Sequence, residues 1–414
     1  MAIQTTRSET EVESRGTSAT RLRFGKLWCL IVLTCAAALV VWSVRGDLRA
    51  YTILTHFVSP QTSGPLLRFA TNAINVEDIA MATANGPVRG KLYRPVGISH
   101  PQGMVVVHGM HRLGIDEPRL ISFARATSEA GLAVFTPQLS ALADYHVDQG
   151  SLTTICEAPE WLQQRIGSGP VIITTLSFSG GLALLAARNP GCASHIRSLV
   201  LFGAYDDLAR VSRYLVTGQA EYPDGHTLAL PAHPYGPQVF VYAHLADFFP
   251  RQDLPAAHEA LRYWLWEEPQ NAKPLLEKLS PTARATMEDL FADRITRLRP
   301  KMLEVIGKQE AEIATLSPHG QMADLRVPVF ILHGSTDNVI PAAESLWLAG
   351  EVPSKELRAV LITPTFSHVD PQRKVTWLDE MRLVHFVGGI FRNGERNWQS
   401  TRQLVVVFGA KMGD

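Results

Sequence analysis

A mainly parallel, twisted β-sheet flanked by helices is the fold class predicted by this sequence, and three observations lead to it. Short apolar, β-branched runs recur at Met104–Val107, Leu132–Phe135, Val171–Thr175, Ser198–Phe202, Val327–Leu332 and Ala359–Ile362, without the polar alternation of half-exposed strands. Helix-forming stretches separate several of these runs, and strands alternating with helices make a parallel sheet covered on both faces. Turn chemistry punctuates the alternation, with Gly131 ending one helix and Asn189-Pro190-Gly191 stopping another.

The elements follow in order. Residues 1–26 are polar and read as a disordered cytoplasmic tail. Residues 27–44, LWCLIVLTCAAALVVWSV, carry no charge; as a helix they would reach roughly 27 Å, close to the thickness of a bilayer core. Arg21, Arg23 and Lys26 precede the run, and Trp28 and Trp42 mark its ends. A retained single-pass signal anchor with the body outside the cytoplasm is preferred to a cleaved signal peptide, because no convincing A-x-A site follows. Arg45 and Arg49 oppose that orientation. Residues 45–74 read as a linker with a membrane-proximal helix.

Asn85-Gly86 then marks a hairpin with arms Val76–Ala82 and Val88–Tyr93. Asp116-Glu117-Pro118 opens a helix by placing a cap before a first-turn proline. From about Tyr214 to Leu325 strands are scarce. AAHEALRYWLWEE, TARATMEDLFADRITRL and PKMLEVIGKQEAEIATL each read as one helix, and so long an insertion is too large for a bare loop. The expected division is a core of residues 75–213 and 326–396, a helical cap of residues 214–325 and a C-terminal tail of residues 397–414. Most of the cap's aromatic residues are expected to pack it onto the sheet.

Composition narrows the function. A chain that is 46% hydrophobic and 19% charged supports a globular core rather than disorder, and 39 basic against 39 acidic residues leave no net charge to recruit nucleic acid. No CxxC pair and no HExxH motif gives a zinc signature. Cys156 and Cys192 are open to two readings, a disulfide or two buried thiols; Cys29 and Cys35 fall in the apolar N-terminal run.

The chemistry-bearing residues stand at strand ends. TTLSFSGG, residues 174–181, joins an apolar strand to an apolar helix, and both Ser177 and Ser179 satisfy a small-x-Ser-x-small frame. A nucleophile elbow needs such a frame because strand and helix approach closely there. VVVHGMHRLG, residues 105–114, places His-Gly after a strand. VFILHGSTDNVIP, residues 329–341, ends a buried strand in His-Gly and then presents Asp337. AVLITPTFSHVDP, residues 359–371, carries His368 after the last strand, 31 residues beyond Asp337.

On these motifs the chain resembles the α/β-hydrolase superfamily over about residues 75–212 and 325–392. The resemblance implies an α/β-hydrolase fold with Ser177 as nucleophile, Ser179 the alternative, Asp337 as orienting acid and His368 as general base, in the chain order Ser, Asp, His. It also implies an oxyanion hole from the backbone N–H groups of Met110 and Phe178. Asp206 and Asp207, after the strand ending at Phe202, are the alternative acids. Hydrolysis of a carboxylic ester through an acyl-enzyme is the leading expectation, with a small-molecule acyl substrate of lipid-like character, no metal and no organic cofactor. Acyl transfer or peptide cleavage at the same site stays open, and so does a non-catalytic ligand-binding domain, for which the incomplete glycine pair of the elbow speaks.

Overall fold

The computed structural model describes residue 34 and residues 45–368, 376–392 and 404–407. The Leu27–Val44 run, apart from Thr34, lies outside them, as do the tail of residues 1–26 and Cys29 and Cys35. Among the described residues no helix is long and apolar enough to cross a membrane.

A nine-stranded sheet organises the chain: β1 (Ile74–Thr83), β2 (Gly86–Pro95), β3 (Gln102–Val107), β4 (Leu132–Pro137), β5 (Val171–Leu176), β6 (Ile196–Phe202), β7 (Val329–Gly334), β8 (Leu357–Thr363) and β9 (Leu404–Val407), in the spatial order β1-β2-β4-β3-β5-β6-β7-β8-β9. β1 and β2 form the predicted antiparallel hairpin, turning where Gly86 takes a φ of +106°. β2 pairs antiparallel with β4, and the remaining pairings, from β4–β3 across to β8–β9, are all parallel. β4 and β7 are buried along their whole length, as strands covered on both faces must be. Successive side chains of β3 enter opposite layers: Val105 and Val107 join the core on one face, Met104 and Val106 the core on the other.

Seven helices matter for the site: α1 (residues 45–58), α2 (Pro118–Glu129), α3 (Gly150–Ile166), α4 (Ser179–Ala187), α5 (Leu208–Thr217), α6 (Ala343–Glu351) and α7 (Trp377–Arg392). The Glu117 carboxylate caps α2 by accepting from the Leu120 amide at 2.8 Å. One of these helices and one strand revise the sequence reading. Residues 45–74, read as a linker with a membrane-proximal helix, do hold a helix, but α1 is integral to the core: Ala50 and Ile53 are buried, Asp47 pairs with Arg392 of α7, and His56 Nδ1 donates to Glu129 Oε2 at 2.7 Å. A Cβ on Gly46 would stand 2.7 Å from the Gly388 carbonyl oxygen, so α1 and α7 cross where only small residues fit. Residues 404–407 of the predicted tail add the edge strand β9 beside β8.

The insertion between β6 and β7 is a mainly helical body with its own core, built on Val241, Leu261, Met287, Leu290, Met302 and Val305. It departs from expectation in three places. A two-stranded hairpin, Gln219–Glu221 with Thr227–Ala229, stands near its start. The helix expected over TARATMEDLFADRITRL ends at Phe291, with Asp293 at a φ of +54° and a 3-10 turn at Ile295–Arg297. The next predicted helix is divided into Arg299–Lys308 and Glu310–Ala314. Cys156 and Cys192 are free thiols and form no disulfide.

Candidate active site

From β3 the chain passes to β4 on one side and then to β5 on the other, so the strand order reverses at β3 and a crevice opens beyond the strand ends. Two of the predicted motifs meet there. His108 and Gly109 follow β3, and Ser177 follows β5, the next strand in the sheet.

Ser177 has a φ of +57°, a left-handed conformation that costs a non-glycine residue energy. Its amide donates to the Phe202 carbonyl at 2.7 Å and its carbonyl accepts from Gly180 at 3.0 Å, which pins the turn between β5 and α4. Gly180 and Gly181 give the close approach the turn needs: a Cβ on the first would lie 2.4 Å from Ala204 Cβ, and on the second 2.3 Å from the Tyr205 ring. The glycines of this elbow therefore stand three and four residues after Ser177. Gly109 fits against the same turn, its Cβ direction meeting the Leu176 carbonyl at 3.1 Å.

Ser179 has a different environment. Its Oγ accepts from the Leu176 amide at 3.1 Å and lies 2.9 Å from the Leu176 carbonyl and 3.2 Å from the Val107 carbonyl, all without exposure to solvent. It braces the turn against β3. Ser179→Ala is expected to cost about 1–3 kcal/mol of stability by stripping the Leu176 amide of its partner. Urea unfolding measures that loss, and labelling of Ser177 by a serine-directed probe should persist in the folded variant.

Asp337 lies in the turn after β7. Its Oδ1 accepts from the Val339 and Ile340 amides, both at 2.9 Å, and its Oδ2 accepts from His368 Nδ1 at 2.8 Å. Burial alone would raise this carboxyl, but His368 and the hydrogen bond from His333 outweigh it and hold the group well below the usual carboxylate range. An ionised carboxylate only accepts, so Nδ1 of His368 carries the proton and Nε2 presents a lone pair. The loop bearing His368 passes directly over Gly334, where a Cβ would strike the Ser367 carbonyl oxygen at 1.9 Å. His333, fully buried, braces the acid turn from below: its Nε2 donates to the Ile340 carbonyl at 2.8 Å and the Ser345 hydroxyl donates to its Nδ1 at 2.6 Å. The sequence marked His333 only as part of a strand-ending His-Gly pair.

Ser177 and His368 line one cavity together with His108, Gly109 and Met110, and no hydrogen bond joins the Ser177 hydroxyl to the imidazole. Such contacts are commonly long in unliganded enzymes and shorten when substrate binds. Among the described residues, the Met110 and Phe178 amides donate to no other part of the chain. His108 is structural: the Leu139 amide donates to its Nε2 at 2.9 Å, its Nδ1 donates to the Gly109 carbonyl at 2.7 Å, and burial, only partly offset by that bond, pushes its pKa down to about 4.

The alternative acids are engaged elsewhere. Asp206 pairs with Arg210 at 2.8 Å and with His319 at 3.0 Å. Asp207 caps α5, accepting from the Ala209 amide at 2.7 Å. Neither hydrogen-bonds to His368.

Strand order, elbow and cap together define the α/β-hydrolase fold. The structure of a glycine-to-phenylalanine mutant of LipA, the rice cell wall degrading esterase from Xanthomonas oryzae, shares it at a TM-score of 0.51 and 13% identity, over 83% of this chain and 95% of that one. An esterase from Pyrobaculum calidifontis matches at 16% identity and a TM-score of 0.45, over 86% and 93% of the two chains. Brefeldin A esterase, a bacterial homologue of human hormone sensitive lipase, matches at 15% identity and a TM-score of 0.42, over 86% and 83%. No protein-family model matches the sequence, and no curated protein does.

Proposed function

We propose that this protein is a serine hydrolase of carboxylic esters, held at a membrane by the Leu27–Val44 run with its folded body on the extracytoplasmic side. The reading rests on Ser177, which takes a strained left-handed conformation on a strand-to-helix turn and shares a cavity with an imidazole bonded to a buried carboxylate. The apolar run, whose sequence leads directly into α1, supports the membrane attachment.

In the proposed reaction His368 Nε2 removes the Ser177 hydroxyl proton as Oγ attacks the ester carbonyl. The Met110 and Phe178 amides donate to the oxyanion that develops, where preorganised donors stabilise the transition state most. The imidazolium, stabilised by Asp337, returns the proton to the departing alkoxide and leaves an acyl-serine. Water, deprotonated by His368, then attacks the acyl carbon, and collapse of that intermediate frees the carboxylic acid and the Ser177 hydroxyl. The sequence draws on no cofactor.

A fluorophosphonate probe followed by peptide mass spectrometry tests the assignment. The label is expected on Ser177. A label on Ser179 would move the elbow by two residues, and a folded protein that takes no label would favour a ligand-binding domain instead.

A further inference from the structure

The cavity containing Ser177 and His368 extends away from the cap, along the sheet face that α1, α2 and α7 cover. The polar part of its lining comes from His108, His111, Glu117, Arg119, Thr127 and Thr174, with Ser177 and His368. Most of the lining is apolar: Ile53, Leu54 and Phe57 come from α1, Phe123 from α2, Leu383 from α7 and Met104 from β3. The cavity volume is about 160 Å³.

Depth follows from strand register. Leu176, next to Ser177, lines the cavity, and so does Met104, which pairs with Ile172. Four residues of β5 separate those levels, about 13 Å of strand rise. An acetyl group would leave most of such a slot unfilled, and a buried apolar slot gains affinity with each methylene that fills it.

Resting on the reading of Ser177 as nucleophile, we propose that this cavity is the acyl pocket, that it takes an extended, unbranched aliphatic chain, and that α1 is its outer wall. The helix is fastened for that role by the Asp47–Arg392 pair, the His56–Glu129 bond and the close Gly46–Gly388 crossing. A segment of the chain far from every catalytic motif thereby sets substrate preference.

The test is a series of p-nitrophenyl esters from acetate to palmitate, turned over by the full-length protein. For the wild type, kcat/KM should rise about fourfold per methylene until the slot is filled. Leu54→Trp, which fills the slot, should lower dodecanoate turnover relative to acetate by about tenfold or more. Leu54→Ala should move the preferred chain to greater length, and it guards against a tryptophan variant that fails to fold. As a readout free of turnover, folded Ser177→Ala protein should bind the fluorescent fatty acid cis-parinaric acid, and Leu54→Trp in that background should weaken binding. Acetate hydrolysis and a fluorophosphonate label on Ser177, with a flat chain-length profile or equal losses for all esters in Leu54→Trp, would overturn the pocket and leave the hydrolase standing. Absence of both label and acetate hydrolysis would remove the nucleophile, and the pocket with it.

Discussion

Asp337→Asn should lower kcat for a short-chain ester by about four orders of magnitude while leaving the fold in place. The size of the effect comes from proton placement. The asparagine carbonyl oxygen can still accept from the Val339 and Ile340 amides, so the turn keeps its shape. The amide nitrogen then replaces Oδ2 and turns N–H groups toward His368 Nδ1. Two donors cannot share a hydrogen bond, so the imidazole moves its proton to Nε2, and the atom proposed to take the Ser177 proton becomes a donor unable to act as base. Stability should respond in a pH-dependent way. The wild-type carboxyl titrates below its unfolded value, so its contribution is complete above about pH 4 and is lost as pH falls through the folded-state pKa. The variant lacks that acid-side loss. Steady-state kinetics at neutral pH and urea unfolding at pH 3 and pH 7 check both parts. Activity within about tenfold of wild type, with the fold intact, would remove Asp337 from the mechanism.

Much of the core was legible because its chemistry is local. An apolar run followed by His-Gly, Ser-Phe-Ser-Gly-Gly or Gly-Ser-Thr-Asp announces a buried strand and the turn beyond it. Those turns contain Ser177 and Asp337, and the loop after the next buried strand brings His368 to Asp337. The choice between the two serines was not local. Ser177 and Ser179 sit in equivalent small-residue frames, and one difference between them is a hydrogen bond from Ser179 to Val107, 72 residues earlier on a neighbouring strand. Asp206 looked like a free strand-end acid although its partner Arg210 stands only four residues on; the distant member of its cluster, Glu344, lies beyond the whole cap. Residues 45–58 read as a linker because the residues that bury their apolar stripe, on α2 and α7, follow much later in the chain.

Arg210→Met is expected to carry the largest stability penalty outside the site, about 3–5 kcal/mol at neutral pH. Arg210 Nε donates to Glu344 Oε1 at 2.6 Å, its Nη2 donates to Asp206 Oδ2 at 2.8 Å, and the guanidinium lies 4.4 Å from the centre of the Trp347 ring. Both carboxylates are buried, so removing the cation either leaves two like charges without Arg210 or forces Asp206 to take up a proton. Burial already pushes the wild-type Asp206 carboxyl up to about 6, with Arg210 opposing the rise and Glu344 adding to it. A carboxyl raised on folding stabilises the native state below its unfolded pKa, and that contribution is lost as pH rises through about 6. Without Arg210 the native carboxyl should hold its proton to still higher pH. The penalty should therefore be smaller at pH 5 than at pH 8, and urea unfolding at the two values measures the difference. Glu344→Gln added to Arg210→Met should recover part of the loss by removing one of the stranded charges. An equal penalty at both pH values, or one below about 1 kcal/mol, would mean that the packing of Arg210 on Trp347, not its charge, is what the cluster uses. The cluster also has a mechanical role. The His319 amide donates to the Asp206 carbonyl at 3.1 Å and the Leu208 amide donates to Ser317 Oγ at 3.0 Å, so the departing and returning ends of the cap are tied to each other. Glu344 accepts from the Asp206 and Asp207 amides at 2.8 and 3.0 Å, which ties them to α6, the helix following the Asp337 turn. Loss of the central cation should consequently loosen the cap roots and the acid turn together, lowering ester turnover on heating before the sheet itself unfolds.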